Sequence, residues 1–324
     1  MSDAVAPARS VRSRLLPSRS QPKRSLRARM RDAPAAFLLL APSFTILGLF
    51  VVYPLIRTII LGQQRCDSQG DNCRSNGWDQ YVDVARSNEF RDALFVTFKF
   101  ALITVPSGLI LGVALAALAD KYVRGIGIFR AIFSSTVATS VAVASLMWFF
   151  LLEPSVGVLS NLGFMQDLFP VIKSPGLLRD SGTALGAVAA SSIWAGLGFT
   201  FILVTAGLQG IPRELHEAAV VDGAGGTRRF FSITIPMLGP TLIFVVIVLT
   251  TRAFQAYGEI DLLTQGGPRP YQSTTTLTYL TYGSSSLIGT NDGLKAAVAV
   301  LLFLLLLVLS ALQLGGLGKR VHYG

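Results

Sequence analysis

The stretch that decides the fold class is "ALFVTFKFALITVPSGLILGVALAALA", residues 93–119, which carries a single ionisable side chain, Lys99. A bilayer core about 30 Å thick needs roughly 20 predominantly apolar helical residues to cross it. A helix satisfies its backbone polar groups within its own segment, as the water-free interior of a bilayer requires. The stretch therefore predicts a transmembrane helix.

Similar apolar runs recur along the whole chain. Its 324 residues are 51% hydrophobic and only 14% charged, and the mean hydropathy is +0.55. Runs of this number and length exceed what a soluble core needs, so we predict an all-α polytopic membrane protein with six transmembrane helices. The predicted spans are residues 35–61, 93–119, 128–152, 183–208, 238–262 and 294–315.

Basic residues near the N-terminus predict the orientation, because cytoplasmic segments of membrane proteins are enriched in Lys and Arg. Residues 1–33 form a predicted disordered, basic cytoplasmic tail, residues 34–318 the membrane domain, and residues 319–324 a cytoplasmic C-terminus. The net charge of +10 is explained by topology and by contact with anionic lipid, so no nucleic-acid partner is predicted. The basic residues of the tail are Arg9, Arg12, Arg14, Arg19, Lys23, Arg24, Arg27, Arg29 and Arg31.

The two cysteines, Cys66 and Cys73, lie in the first predicted outer loop. On the oxidising side of the membrane they can form a disulfide, and the six residues between them leave geometric room for it. A metal site is the alternative, but two thiols without a nearby histidine support it poorly. We therefore predict no metal.

A polar, glycine-bearing loop, "PRELHEAAVVDGAGGTRRFFSITIP" (residues 212–236), separates the fourth and fifth predicted spans. Pro212 suits a first helical position, since its missing N–H would be unpaired there. Gly223 suits the left-handed residue after a helix end. We predict one helix before Gly223 and a second short helix that Thr227 caps and Pro236 ends. Such a helix-turn-helix can dock on another protein, or it can lie flat on the membrane as an amphipathic loop.

Part of this loop, "EAAVVDGAGGTRRFFSITIP", resembles the EAA signature of bacterial ATP-binding-cassette (ABC) importer permeases. The order is that of the family, with Ile235 where Leu is common before the Pro. The stretch "LLTQGGPRPYQSTTTLTYLTY" is similar to a Thr-rich outer segment of carbohydrate permeases of the maltose and glycerol-3-phosphate type. The resemblance covers most of the chain from about Phe37, although Thr136 stands where these permeases often carry Pro. We call residues 212–236 the EAA loop.

The resemblance implies a type I ABC importer permease fold and a non-catalytic subunit of the bacterial cytoplasmic membrane. It would form half of a pathway for a carbohydrate or glycerol-3-phosphate-type solute. The chain lacks the Gly-x-x-x-x-Gly-Lys-Ser/Thr phosphate loop, so no cofactor is expected here, and ATP and Mg would be bound by a partner. Implied partners are a second, homologous permease, two nucleotide-binding ATPase subunits, an extracytoplasmic solute-binding protein and membrane lipid. The residues expected to couple to the ATPase are Glu214, Leu215, Glu217, Ala218, Ala219, Asp222, Gly223 and Ala224.

Candidate residues of the substrate pathway come from polar and aromatic side chains in the spans. Ionisable groups there are costly and usually face a cavity or a partner, which singles out Lys99 and Arg252. If both face the pathway they favour an anionic ligand, such as glycerol-3-phosphate or a glycerophosphodiester, and if they pair with acids a neutral sugar fits as well. Lys99 can instead extend to the outer surface, and Glu259 and Asp261 are expected to be interfacial. Four aromatic side chains can stack on a sugar or simply pack in the membrane: Trp148, Trp194, Phe254 and Tyr257.

Two other classes of protein are weighed against a permease. An ion-coupled secondary transporter of a small polar solute would show internal repeats or broken helices around midplane acids, and neither is clear in the sequence. An intramembrane enzyme would need a nucleophile and base within the bilayer. The two histidines, His216 and His322, both fall in predicted cytoplasmic segments. The enzyme class is therefore disfavoured.

Overall fold

The computed structural model describes residues 26–66, 73–120, 125–158, 176–268, 272–283 and 291–317. Most of the predicted basic tail and the whole predicted C-terminal segment lie outside the described residues. The chain divides into two units, residues 1–55 and 56–324. The part of the chain that the structure describes is mostly helical, with a two-stranded antiparallel pairing of β1 and β2, called the hairpin below.

The elements are as follows in chain order. The helices are α1 (Leu26–Leu47), α2 (Tyr53–Leu61), α3 (Asp79–Arg86), α4 (Asn88–Ala119), α5 (Ile126–Ser135), α6 (Val141–Leu152), α7 (Ala184–Gln209), α8 (Arg213–Val221), α9 (Gly226–Arg229), α10 (Ile235–Met237), α11 (Gly239–Phe254), α12 (Gly258–Leu263), α13 (Leu277–Tyr282) and α14 (Asp292–Leu317). The strands are β1 (Gln64–Cys66) and β2 (Cys73–Ser75).

Four stretches of the described chain are long and apolar enough to cross a membrane as one helix: Phe37–Leu61, Asn88–Ala119, Ala184–Gln209 and Asp292–Gly316. Two further stretches pass the same test only as bent pairs of helices. The described chain therefore has four continuous candidate spans, and it reaches the predicted six if each bent pair counts as one span.

Two π-helical turns precede prolines. One covers Gly48–Val52 and lies directly before α2, which contains Pro54, and the other covers Phe230–Thr234 before α10, which contains Pro236. Proline has no N–H to donate to the carbonyl four residues earlier, so helices commonly change register beside it. In the first span this allows the helix to continue through Pro54 to Leu61.

The predicted third span, residues 128–152, is strongly bent and is not one straight helix. The segments Ile126–Ala138 and Val141–Leu152 meet at an angle of 105°. The hydroxyl groups of Ser135 and Thr136 donate to the carbonyls of Ile132 and Phe133 at 2.7 and 3.0 Å, which satisfies the end of α5 locally. The chain then becomes extended at Ser140, the residue before α6.

The predicted fifth span, 238–262, was too long, because α11 ends at Phe254 and α12 begins only at Gly258. The reason lies in the Thr-rich stretch that follows. Thr278 Oγ1 donates to the Phe254 carbonyl at 2.7 Å, and Thr276 Oγ1 to the Ala256 carbonyl at 3.2 Å. These buried hydroxyls donate to carbonyls that have no N–H partner because the helix ends there. The Thr-rich stretch thus hydrogen-bonds to the chain at and just after the end of α11.

Within residues 56–324, α4 packs along α7 and α11, and α14 packs against α3, β1 and α13. The larger apolar cluster centres on buried side chains such as Phe100, Phe254 and Leu277. A smaller cluster lies where α4 ends and the EAA loop begins and ends. Helical apolar faces elsewhere stay exposed, as expected for surfaces that meet lipid or another subunit.

The hairpin places Cys66 directly opposite Cys73 in the antiparallel register. Opposed residues in such a ladder have Cα atoms about 4.5 to 5.5 Å apart, which is within the range that a disulfide spans. The backbone register is therefore compatible with the predicted disulfide, which stays a prediction.

Candidate coupling loop and central cavity

The EAA loop begins with α8, whose end is closed by a left-handed glycine. Gly223 has φ +73°, as predicted for the residue after this helix. The N–H of Gly223 donates to the Val220 carbonyl at 3.0 Å, and the N–H of Ala224 donates to the Ala219 carbonyl at 2.9 Å. This pair of bonds is a Schellman motif, which satisfies the last carbonyls of the helix and turns the chain sharply.

The second half of the loop differs from the prediction. Gly225, and not Thr227, is the N-cap residue of α9, and Thr227 lies within that helix. The helix continues through a π turn into α10 and ends at Met237, one residue beyond the predicted end at Pro236, and the chain bends by 69° before α11. The Ile235 N–H reaches back five residues to the Phe230 carbonyl, so the helix changes register one residue before Pro236.

Most of α8 is exposed. Among the residues predicted to couple to an ATPase, Ala219 is buried and Ala224 half-buried, whereas the others are exposed: Glu214, Leu215, Glu217, Ala218, Asp222 and Gly223. The apolar side chains of Leu215 and Val221 are 41% and 87% exposed. Exposed apolar side chains bordered by carboxylates occur on surfaces that contact another protein or a membrane.

Both ends of the EAA loop are anchored in the smaller apolar cluster. Ile211 directly precedes the loop and Leu238 follows α10, and they are 8% and 1% exposed. They pack in the same cluster as Ala119, the last residue of α4, whose carbonyl accepts a hydrogen bond from Arg130 of α5 at 2.8 Å. A force on the loop would therefore act directly on α4, α5 and α7.

A central cavity of about 280 Å³ lies between α4, α6, α7, α11 and α12. Thr104 and Gly108, in the middle part of α4, line one wall. Another part of the wall is formed by the break in the third span, including Val137 and Thr139. The volume is at the small end of the range for ligand sites, so it suits a small solute.

The cavity contains one cation and one carboxylate among its described lining residues. The Arg252 guanidinium lies 5.0 Å from the centre of the Phe199 ring, an arrangement favoured by cation–π attraction. Glu259 Oε1 accepts a hydrogen bond from Ser192 Oγ at 3.0 Å. Within the described ranges no carboxylate oxygen lies within 4.0 Å of Arg252, so its charge is available to a ligand.

Of the six predicted pathway residues, the structure brings one to the cavity. Arg252 lines the cavity, whereas the other five are absent from its described lining. Lys99 is exposed, and Trp148 and Trp194 are half-buried. Phe254 is 2% exposed, and its ring packs edge-to-face on that of Phe98 with the ring centres 5.1 Å apart. The rings of Tyr257 and Tyr279 stack with their centres 6.2 Å apart. The pathway role of these residues remains a prediction.

Sequence reasoning missed the polar side chains that complete the cavity. Glu259 was expected at the membrane interface, yet it lines the cavity beside Ser192. Ser145 and Ser191 also line it, and each is 1% exposed. The sequence signal for these residues was the clustering of small and hydroxyl side chains in apolar helices. Such clusters occur wherever membrane helices pack closely, so they do not identify a transport pathway.

The described chain combines helices that are long and apolar enough to cross a membrane with a cavity whose wall carries charged and hydroxyl side chains, as a membrane transport subunit requires. The chain belongs to the family of binding-protein-dependent transport system inner membrane components, whose model matches residues 83–323. It is accordingly a permease subunit of an ABC importer, located in the inner membrane, and the alternative of an ion-coupled secondary transporter is not favoured.

The chain is similar to sn-glycerol-3-phosphate transport system permease proteins. It is 34% identical to the one from Agrobacterium fabrum, over 89% of this chain and 96% of that protein. It is 32% identical to the one from Escherichia coli strain UTI89, over 89% and 95% of the two chains. A crystal structure of a bacterial ABC transporter that imports the acidic polysaccharide alginate contains a chain of the same fold, with 21% identity, a TM-score of 0.73 and coverage of 90% and 96%.

Proposed function

We propose that this permease passes sn-glycerol-3-phosphate, or a closely related phosphorylated polyol, through the central cavity. The observation that carries this assignment is Arg252, which lines the cavity and has no acidic partner within salt-bridge distance in the described chain. A cation that is not ion-paired in a cavity wall favours an anionic solute. The names of the relatives support the same solute class.

We further propose that the EAA loop is the contact with the ATPase. Its exposed α8 presents Leu215 between carboxylates, and small residues such as Ala218 allow a partner surface to approach closely. The ends of the loop, Ile211 and Leu238, are packed against the end of α4. Closure of an ATPase over α8 would therefore move the helices that line the cavity. ATP can bias the two states of the transporter only through contacts that differ between them.

The complete transporter would contain this chain, a second permease, two ATPase subunits that bind ATP and Mg, and an extracytoplasmic solute-binding protein. The support for this composition is the family match, because members are components of binding-protein-dependent systems. In this arrangement the chain forms half of the pathway and carries no catalytic residue. The EAA loop would face the cytoplasm, in agreement with the predicted orientation.

The test is uptake by the reconstituted transporter. Proteoliposomes that contain the chain with its permease, ATPase and binding-protein partners are loaded with ATP and given radiolabelled sn-glycerol-3-phosphate. We expect uptake that requires ATP and the binding protein. A transporter that hydrolyses ATP and accumulates neutral disaccharides, but leaves sn-glycerol-3-phosphate outside, would overturn the assignment.

A further inference from the structure

The break in the third span opens onto the central cavity. Val137 and Thr139, on the segment between α5 and α6, line the cavity together with Val141. Backbone that leaves the helical conformation within a membrane is tolerated only where protein buries it or where it faces a hydrated cavity. The break therefore brings backbone polar groups to the cavity wall.

The first turn of α6 supplies hydrogen-bond donors at this wall. The first backbone bond of the helix runs from the Ala144 N–H to the Ser140 carbonyl, at 2.9 Å. The N–H groups of the three preceding residues have no carbonyl partner within the helix. The Ser140 side chain does not cap them. A helix of twelve residues also carries a partial positive charge at this end, which favours an anion.

Ser145 is an independent sign of a missing ligand. It is 1% exposed, and its Oγ has no hydrogen-bond partner among the described residues. It lines the cavity together with Val141 and Ala144, so positions i, i+3 and i+4 of α6 share the cavity face. A buried hydroxyl without a partner is unfavourable, so its presence in a cavity wall points to a ligand that hydrogen-bonds to it.

Arg252 brings a full positive charge to the same cavity from α11. Its guanidinium is oriented by the Phe199 ring and has no acidic partner in the described ranges. Glu259, the carboxylate of the cavity, is instead engaged by Ser192. The cavity thus offers three kinds of donor to an anion: helix N–H groups, a hydroxyl and a guanidinium.

We propose that the first turn of α6, Ser145 and Arg252 form one oxyanion subsite, which holds the phosphate group of the transported solute. This inference deepens the proposed function and rests on it for the identity of the cargo. The broken third span is then a binding element, since a continuous helix would have its N–H groups bonded internally. The permease itself would select for a negative charge during passage.

The test is binding of radiolabelled sn-glycerol-3-phosphate by the assembled permease and ATPase complex without its solute-binding protein, in phospholipid-free detergent. We expect Arg252→Gln to weaken binding by about tenfold or more, because bonds from a charged donor to an anion are strong. Ser145→Ala should weaken it by a few-fold, the effect of one neutral hydrogen bond. Arg252→Lys should retain part of the affinity. Arg86→Gln, which removes an exposed cation of α3 outside the cavity, should leave binding unchanged.

A matched pair at Ser140 tests the helix end without touching Arg252 or Ser145. Asp and Asn are both good N-cap residues, so Ser140→Asp and Ser140→Asn should preserve α6 equally. Only the Asp variant places its own carboxylate at the subsite. We expect Ser140→Asp to weaken binding of the phosphate compound strongly relative to Ser140→Asn. Equal binding by the two variants would overturn the role of the helix end.

Two further experiments are needed. The first distinguishes a phosphate of the solute from a phosphate of lipid, and the second distinguishes failure of the subsite from failure of the proposed function. In nanodiscs of phosphatidylglycerol, unchanged affinity supports a solute site, and lost affinity would assign the subsite to lipid phosphate and overturn the inference. Uptake in proteoliposomes is measured for the same variants. Wild-type binding and uptake by Arg252→Gln and Ser145→Ala would refute the subsite and leave the proposed cargo intact. Absence of ATP-driven uptake by the wild-type transporter would refute the proposed function itself.

Discussion

The Ala224 N–H donates to the Ala219 carbonyl oxygen at 2.9 Å, across the left-handed Gly223. This bond fixes the direction in which the chain leaves α8. It therefore sets the angle between α8 and the rest of the EAA loop. If the loop is the ATPase contact, its geometry should matter for transport even where its side chains are small.

Gly223→Ala should impair coupling. A left-handed conformation at a residue with a Cβ costs roughly 1–2 kcal/mol, so the Schellman turn would open or α8 would fray. We expect ATP-driven uptake to fall several-fold while membrane insertion is retained. Gly225→Ala is the matched control, because Gly225 has an extended conformation and free space around a Cβ. Equal uptake by the two variants would contradict a role for the turn.

Glu217→Lys should uncouple the transporter. Glu217 is exposed on α8, so reversing its charge leaves the fold intact but opposes any cationic group on a docked ATPase. We expect sharply reduced uptake with normal membrane levels. Asp120→Lys makes the same change of charge at the exposed end of α4 and should transport normally. Wild-type uptake by Glu217→Lys would count against docking through α8.

Gly198→Ala should destabilise the broken third span. A Cβ on Gly198 would meet Thr136 Oγ1 and lie 2.8 Å from the Val137 backbone nitrogen. Overpacking of this kind typically costs about 1–3 kcal/mol. Gly186→Ala, in the same helix but in open space, should be neutral or stabilising by up to about 1 kcal/mol. Thermal unfolding in detergent compares them, and similar midpoints for the two variants would show that the close approach is dispensable.

Tyr81→Phe should alter the pH dependence of stability. The Tyr81 hydroxyl donates to the Ile59 carbonyl at 2.8 Å, and burial raises the pKa of the phenol above its usual value of 10.0. Since the folded-state pKa is the higher one, the contribution to stability is present below about pH 10 and is lost as pH rises through the folded-state pKa. The wild type should exceed the variant by about 1 kcal/mol at neutral pH. A difference that stays constant up to pH 11 would refute this assignment.

Long apolar runs made the membrane class and the continuous helices predictable, because a run such as 93–119 has no stable alternative to a spanning helix. The glycine at position 223 was predictable for a similar reason, since few residues adopt a left-handed conformation. The breaks at Thr136 and Phe254 were not. They depend on hydroxyls that bond locally or come from a distant stretch, and a hydropathy pattern carries no information on either.

The cavity was predictable only in part. Arg252 stood out because a charge within a span needs a reason, whereas Ser145 and Ser192 resemble the small polar residues found in many packed membrane helices. The aromatic candidates illustrate the opposite problem. Phe254 is buried in the apolar core, because large rings contribute most of their stabilisation by packing.

The most direct measurement of ATPase docking is the reactivity of one cysteine. Ala218→Cys, in a chain with Cys66 and Cys73 replaced by Ser, is treated with a maleimide as an isolated subunit and in the assembled transporter. Ala218 is exposed, so we expect rapid labelling of the isolated subunit and strong protection after assembly. Trp78→Cys, at an exposed position before α3, is the control and should be labelled equally in both states. Equal labelling of Ala218→Cys in the two states would mean that no ATPase covers α8, and coupling through the EAA loop would be refuted.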